Sequence, residues 1–181
     1  MSTFIALLRG INVGKAKRVP MVELRALLSG LGYTGVSTLV NSGNAVFRAQ
    51  MGSPAQHAAS IASAISNQFQ FEVPVIVKSA KQLTTIINEN PVTAETGQHS
   101  RLLVVFAQNK NLLAGLEGIE TLATPPEKFE VGKNAAYLFC PKGILESKAG
   151  AALLGKAGKT ITTRNWATVL KLQALANKSV G

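Results

Sequence analysis

Two apolar runs, Phe4-Ile-Ala-Leu-Leu8 and Arg101-Leu-Leu-Val-Val-Phe-Ala107, most constrain the fold, because each opens a stretch in which the same order of elements can be read. A continuous apolar run of this length is the pattern of a strand buried on both faces. After the first, Pro20 stands at the expected first helical turn, and Met21, Leu24, Leu28 and Leu31 recur at helical spacing until Gly32 supplies a stop. Val36 to Val40 and Ala45 to Phe47 flank the turn formers Asn41-Ser-Gly-Asn44, which predicts a hairpin. Pro54 opens a helix with Ile61, Ile65 and Phe69 on one face and an end near Phe71, and Val73 to Val77 is the next strand. The order is β-α-β-β-α-β, that of a ferredoxin-like α/β plait: an antiparallel sheet covered by helices on one face.

The second run repeats the order. A glycine-interrupted helix is predicted over Asn111 to Leu122, strands over Lys128 to Val131 and Ala135 to Cys140, and a helix over Glu146 to Leu154. Thr160-Ile-Thr162 is too short to assign, and Asn165 to Ala176 forms a closing helix with Trp166, Val169 and Leu172 on one side. Between the halves, Ala80 to Asn88 reads as a short helix and Asn90 to Gly97 as a turn-rich connection. The expected organisation is therefore α+β, with two plait halves in tandem at 1–90 and 101–181 joined by 91–100.

The strand Phe4 to Leu8 empties into a loop in which Gly10 and Gly14 relax the backbone among Arg9, Lys15, Lys17 and Arg18. Backbone N–H groups beside a helix start, with four cationic side chains, suit phosphate or carboxylate. The resemblance to a nucleotide-triphosphate loop is superficial, since Gly10 and Gly14 enclose three residues and Ala16 stands where a hydroxyl should meet the metal. The other reading is a solvated loop whose charges keep the protein soluble. Ser42 and its neighbouring asparagines have two readings as well, as ligand contacts or as residues that supply positive φ in a turn. Arg164, Asn165 and Trp166 combine guanidinium, amide and indole, a set able to hold a phosphate and stack on a base. Their alternative is a helix start, with Asn165 or Thr163 as cap and Trp166 as a buried anchor.

Composition narrows the chemistry. Lys and Arg number 19 against 9 acidic residues, a net charge of +10, and every acid is Glu because the chain contains no Asp. That excess favours polyanionic partners, either nucleic acid or a phosphorylated small molecule. From Lys142 to Lys178 the basic residues Lys142, Lys148, Lys156, Lys159, Arg164, Lys171 and Lys178 face Glu146 alone, which predicts a basic surface unless the lysine stems simply cover alanine-rich helices. A Ser-His-Asp triad is excluded. His57 and His99, the two histidines, have no metal-ligand spacing, so no metal and no cofactor is expected. Ser79 near Lys81 and the pair Ser147-Lys148 carry no catalytic signature. The lone Cys140 ends an apolar run and reads as core packing, which fits a reducing compartment. No segment approaches the roughly eighteen apolar residues of a membrane span, and the expectation is a cytoplasmic protein without a membrane partner.

Several segments together resemble a bacterial family, domain of unknown function 1697. They are Ile5 to Gly14 (IALLRGINVG), Arg18 to Arg25 (RVPMVELR), Asn41 to Asn44 with Val46-Phe47, Val73 to Val77, Asn90-Pro91, Thr163 to Trp166 and Lys171-Leu172. Ala136 and Ala167 depart from the polar residues expected there. The resemblance implies an α+β protein with paired plait-like halves and no established activity. The functional expectation from the residues is binding of an anionic ligand through Arg9, Gly10, Asn12, Gly14, Lys15, Lys17 and Arg18, with Ser42, Arg164, Asn165 and Trp166 as further contacts. The alternatives are an enzyme on a phosphate-bearing or acyl substrate, oriented by Arg9, Asn12 and Lys15, and a protein whose basic faces meet an acidic partner.

Overall fold

In the computed structural model, which describes residues 1–178, the chain divides into two compact units. The first contains Met1–Leu83 together with the segment from Leu172 to the end of the closing helix, and the second is Thr84–Lys171. The expected connection at 91–100 thus falls within the second unit, and residues 179–181 of the expected second half lie outside the described residues.

The first unit holds β1 (Ser2–Leu8), α1 (Met21–Gly30), β2 (Thr34–Leu39), β3 (Asn44–Ala49), α2 (Pro54–Phe69) and β4 (Val75–Ser79), followed by the start of α3 (Ala80–Asn88). Its sheet order is β2-β3-β1-β4, with β1 antiparallel to both neighbours. Phe4, Ala6 and Leu8 project from one face of β1 into a core with Leu24 and Leu28 of α1, Ile61 and Ile65 of α2, and Phe47 of β3. The alternate residues Ile5 and Leu7 are buried too, the two-sided burial that an unbroken apolar run predicts. α2 starts at a capping box in which the Ser53 hydroxyl accepts from the Gln56 N–H while the Gln56 amide oxygen accepts from the Ser53 N–H. It stops at Gln70, whose backbone is left-handed, slightly before the predicted end. Pro20 is the N-cap of α1 and lies just outside its first turn, because its extended backbone carries the chain out of the preceding loop.

The second unit repeats the topology with β5 (Leu102–Ala107), α4 (Asn111–Ala114), β6 (Lys128–Val131), β7 (Ala136–Phe139), α5 (Lys148–Leu154) and β8 (Ile161–Asn165), in the order β6-β7-β5-β8. α6 (Trp166–Lys178) follows. β1 and β5 occupy the same place in their sheets, so the tandem plait expected from element order is the observed architecture. The helices are where periodicity reads least well. The segment predicted as one helix to Leu122 is a single α-turn and a separate 3-10 stretch, Glu117–Leu122, broken at Gly115, where the backbone has no side chain to favour continuation. The segment too short to assign is β8, a full strand held by its ladder to β5. Cys140 is buried in the core with Leu138, Ala149 and Leu153. Its S–H points at the Arg101 carbonyl at 3.5 Å, and burial pushes its pKa up to about 11.

Candidate functional site

The loop joining β1 to α1 leaves the sheet where β1 ends and returns at Pro20. It is closed by Asn12. The Asn12 side-chain oxygen accepts from the Val19 N–H at 2.9 Å, while its amide donates to the Val19 carbonyl at 2.9 Å and to the Asn41 carbonyl at 2.8 Å. The Asn12 N–H in turn donates to the Lys17 carbonyl at 3.1 Å. One side chain therefore ties the two ends of the loop to each other and to the β2–β3 hairpin. The hairpin is docked independently: the Gly43 carbonyl accepts from the Leu8 N–H at 2.8 Å, and a Cβ on Gly43 would lie 2.7 Å from that of Leu8, so only glycine fits this approach at φ 84°.

Between loop, hairpin and helix start lies a cavity of 360 Å³ lined by Asn12, Gly14, Arg18, Val19, Pro20, Met21 and Asn41. Arg18 is the cationic residue in its lining, and Lys15 is exposed beside Gly14. Lys17 is exposed as well, with its ammonium donating to the Glu72 carbonyl at 2.9 Å. Arg9 and Gly10 begin the loop but do not line the cavity. The Arg9 N–H is bonded to the Pro74 carbonyl at 2.9 Å, and partial burial lowers the pKa of its guanidinium. Ser42 sits at the hairpin tip, where its hydroxyl accepts from the Asn44 amide at 3.0 Å.

The backbone around this cavity is strained. Asn12, Lys17 and Val40 are non-glycine residues with φ of 55°, 49° and 50°, and the remaining one among the described residues is Gln70 at a helix end. Each such residue costs about 1–3 kcal/mol, and a β-branched side chain there is an outlier. In the hairpin turn, positive φ falls on Val40 and Gly43, not on the asparagines or serine proposed to supply it. Asn44 instead belongs to β3, buried, with its amide donating back to the Leu39 carbonyl at 2.9 Å.

Arg164, Asn165 and Trp166 belong to the second unit. Arg164 is buried, its guanidinium donating to the Thr162 hydroxyl at 2.8 Å and the Thr163 carbonyl at 2.7 Å, and burial pushes its pKa down to about 10. The Asn165 side chain accepts from the Thr168 N–H at 2.9 Å and so caps α6. Trp166 lines a 270 Å³ cavity with Ile87, Asn90, Val92, Thr93, Ala94 and Leu102. The lysines at 142, 148, 156, 159, 171 and 178 are exposed; Arg164 alone of the basic C-terminal set is buried. Among the described residues there is no group of three or more His, Cys or Glu able to hold a metal ion, and no helix is long and apolar enough to cross a membrane.

Val19, Pro20 and Met21 are cavity walls without a site signal in the sequence. Nothing local marks them, since what aligns them is the Asn12 clasp.

Fold and site together define a tandem α/β-plait protein in which the loop after the first strand is built into a basic pocket. The chain belongs to the family described as protein of unknown function (DUF1697), whose model matches residues 1–137. Its fold is similar to that of the conserved bacterial protein SP0830 from Streptococcus pneumoniae, with a TM-score of 0.79 and 24% identity over 97% of this chain and 98% of that one. No curated protein matches the chain.

Proposed function

We propose that the first unit binds an anionic ligand in the pocket between the β1–α1 loop, the hairpin and the start of α1. The observation that carries this reading is the 360 Å³ cavity with Arg18 in its wall and Lys15 beside it. Small-molecule pockets commonly fall in the range of about 300–1,000 Å³, which favours a phosphorylated small molecule over a polymer. The loop is held in shape before any ligand arrives, because the Asn12 amide is already committed to Val19 and Asn41. Pre-formed geometry lowers the entropy lost on binding. The net charge of +10 adds a general attraction for anions.

Nucleic acid is the competing ligand of the same chemistry, and it is less favoured. With Arg164 buried and Asn165 capping a helix, only Trp166 of the three residues is left to stack on a base. Calorimetric titration with inorganic phosphate and with single-stranded oligonucleotides, at two salt concentrations, tests the reading. Phosphate affinity is expected to fall about tenfold in the double variant Lys15→Ala, Arg18→Ala and to be unchanged in Lys110→Ala, Lys128→Ala. Oligonucleotide binding that falls steeply with salt and equally in both double variants would assign the charge to non-specific association instead.

A further inference from the structure

We infer that the cavity at the start of α6 is a second ligand site, and that it takes a neutral planar ring carrying hydrogen-bond acceptor atoms. Its 270 Å³ is room for one ring system, just below the range of about 300–1,000 Å³ common for small-molecule pockets. No charged residue lines it, so the part of a ligand that enters is uncharged. Two of the lining residues, Val92 and Leu102, are buried and make that lining apolar. Trp166, the single tryptophan of the chain, adds an aromatic surface. A planar ring gains more from an indole than an aliphatic group of equal size does, because stacking adds to area burial.

The polar groups of the lining residues are donors. The Asn90 side-chain oxygen is spent on the Val92 N–H at 2.9 Å, which leaves its NH2 group, and the Trp166 indole has only an N–H to offer. Among the described residues neither donor has a hydrogen-bond partner. Neither is sealed from solvent, because the one buried side-chain nitrogen or oxygen without a partner among the described residues is His57 Nε2. A half-buried tryptophan with an unspent, accessible N–H is completed by an acceptor on a ligand. Both segments are fixed beforehand by their own bonds: Asn90 by its turn with Val92, and Trp166 by the Asn165 cap, which accepts from the Thr168 N–H at 2.9 Å. They are also two of the segments that stand out in the sequence, Asn90-Pro91 and Thr163 to Trp166, which lie far apart in the chain and meet at one cavity. The cavity shares no lining residue with the anion pocket, so the two sites stand or fall separately.

The test uses the full chain, isotope-labelled in nitrogen, whose single indole N–H resonance reports on the cavity through Trp166. The probes are adenine, uracil and nicotinamide, neutral planar rings with acceptor atoms; indene, planar without them; and inorganic phosphate. At least one of the three heterocycles is expected to shift the indole resonance saturably and to bind about tenfold more tightly than indene, while phosphate leaves the resonance unmoved. Asn90→Asp keeps the acceptor for the Val92 N–H and removes the NH2 donor, and it is expected to weaken heterocycle binding about tenfold. Trp166→Phe keeps a ring and removes the N–H, and is expected to cost about fivefold by calorimetry. The variant Lys15→Ala, Arg18→Ala is expected to bind the heterocycle as the parent chain does. No saturable shift with any heterocycle, indene binding as tightly as the best of them, or parental affinity in both cavity variants overturns the inference. Should circular dichroism show that a variant fails to fold, the comparison with indene on the parent chain decides. A single-stranded oligonucleotide that shifts the resonance at lower concentration than the free base reassigns the cavity to a polymer and overturns the inference as well.

Discussion

The two units are built on one plan and differ where the chain leaves the sheet. At the same register of each sheet a buried cation sits on the last strand: Lys78 opposite Ile5, with its pKa pushed down to about 8 by burial, and Arg164 opposite Val104, pushed down to about 10. The next residue caps a helix in both units. The Ser79 hydroxyl accepts from the Gln82 N–H at 3.1 Å, and the Asn165 side chain accepts from the Thr168 N–H at 2.9 Å. The connection after the central strand could hardly differ more. In the first unit it runs through residues 9 to 20, with four left-handed residues (Gly10, Asn12, Gly14 and Lys17) and a pocket; in the second it is residues 108 to 110, leading into the single turn of α4. Strand register and helix caps obey backbone hydrogen bonding and leave little choice, whereas a loop outside the ladder can be lengthened without disturbing the sheet. The more elaborated copy is accordingly where the anion site is proposed.

Four measurements sharpen or break this comparison. The largest effect is expected in the separate cores. Phe47→Ala, which deletes a fully buried ring stacked on Tyr33 at 4.3 Å, is expected to cost about 3–5 kcal/mol, and Leu138→Ala in the second core about 2–5 kcal/mol. Denaturant unfolding followed by hydrogen exchange reads both, and losses below about 1 kcal/mol at either position would show that the core is misassigned.

The loop closures come next. Asn12→Ala removes three side-chain hydrogen bonds and is expected to cost about 2–3 kcal/mol and to weaken anion binding. Its nearest counterpart in the second unit is Asn109, whose side-chain oxygen accepts from the Asn111 and Leu112 N–H groups at 3.1 and 3.3 Å. Asn109→Ala is expected to cost only about 1 kcal/mol, as a simple cap does. Equal costs would mean that the clasp does no more than a cap.

The third measurement concerns acid. His57 is buried in a ring cluster with Phe4, Tyr33 and Phe47, its Nδ1 lies 2.9 Å from the Tyr33 hydroxyl, and its Nε2 has no hydrogen-bond partner among the described residues. Burial lowers its pKa, opposed more weakly by the backbone of Gly52. The folded chain therefore binds its proton less readily than the unfolded chain. The stability this contributes is fully present above the unfolded value of about 6.5 and is lost as pH falls from there through the lowered folded value. His57→Phe is expected to flatten the stability profile between about pH 7 and pH 5, and an unchanged slope in urea unfolding would remove His57 as its source. The smallest effect is at Val40. Val40→Asn is expected to raise stability by about 0.5–1 kcal/mol by relieving the left-handed valine, and a loss would mean that the side chain is held by packing.

How far the site could be read in advance depends on the range of the interactions that build it. Arg18 and Gly14 were legible as members of a basic glycine loop, and Asn12 was named with them as a ligand contact. Its amide is spent on Val19 and Asn41, a role that depends on where the hairpin comes to rest. Arg164 looked like a surface cation because charge counting carries no information on burial, and its alternation along β8 places it inward.

By itself the sequence determined the plait order of the first unit, and of the second up to its last strand, because strand alternation, helix period and turn chemistry act over a few residues and leave visible spacing. It also determined that Asp-dependent chemistry is absent and that the chain is strongly basic. The tertiary structure alone decided that α4 is a single turn, that residues 161 to 165 form a full strand, and that Asn12 joins the loop to the hairpin. Each depends on a partner far along the chain: the ladder to β5 for β8, and the Asn41 carbonyl for the loop. Local propensity cannot specify such pairings, because their free energy is gained only after the rest of the unit has folded around them.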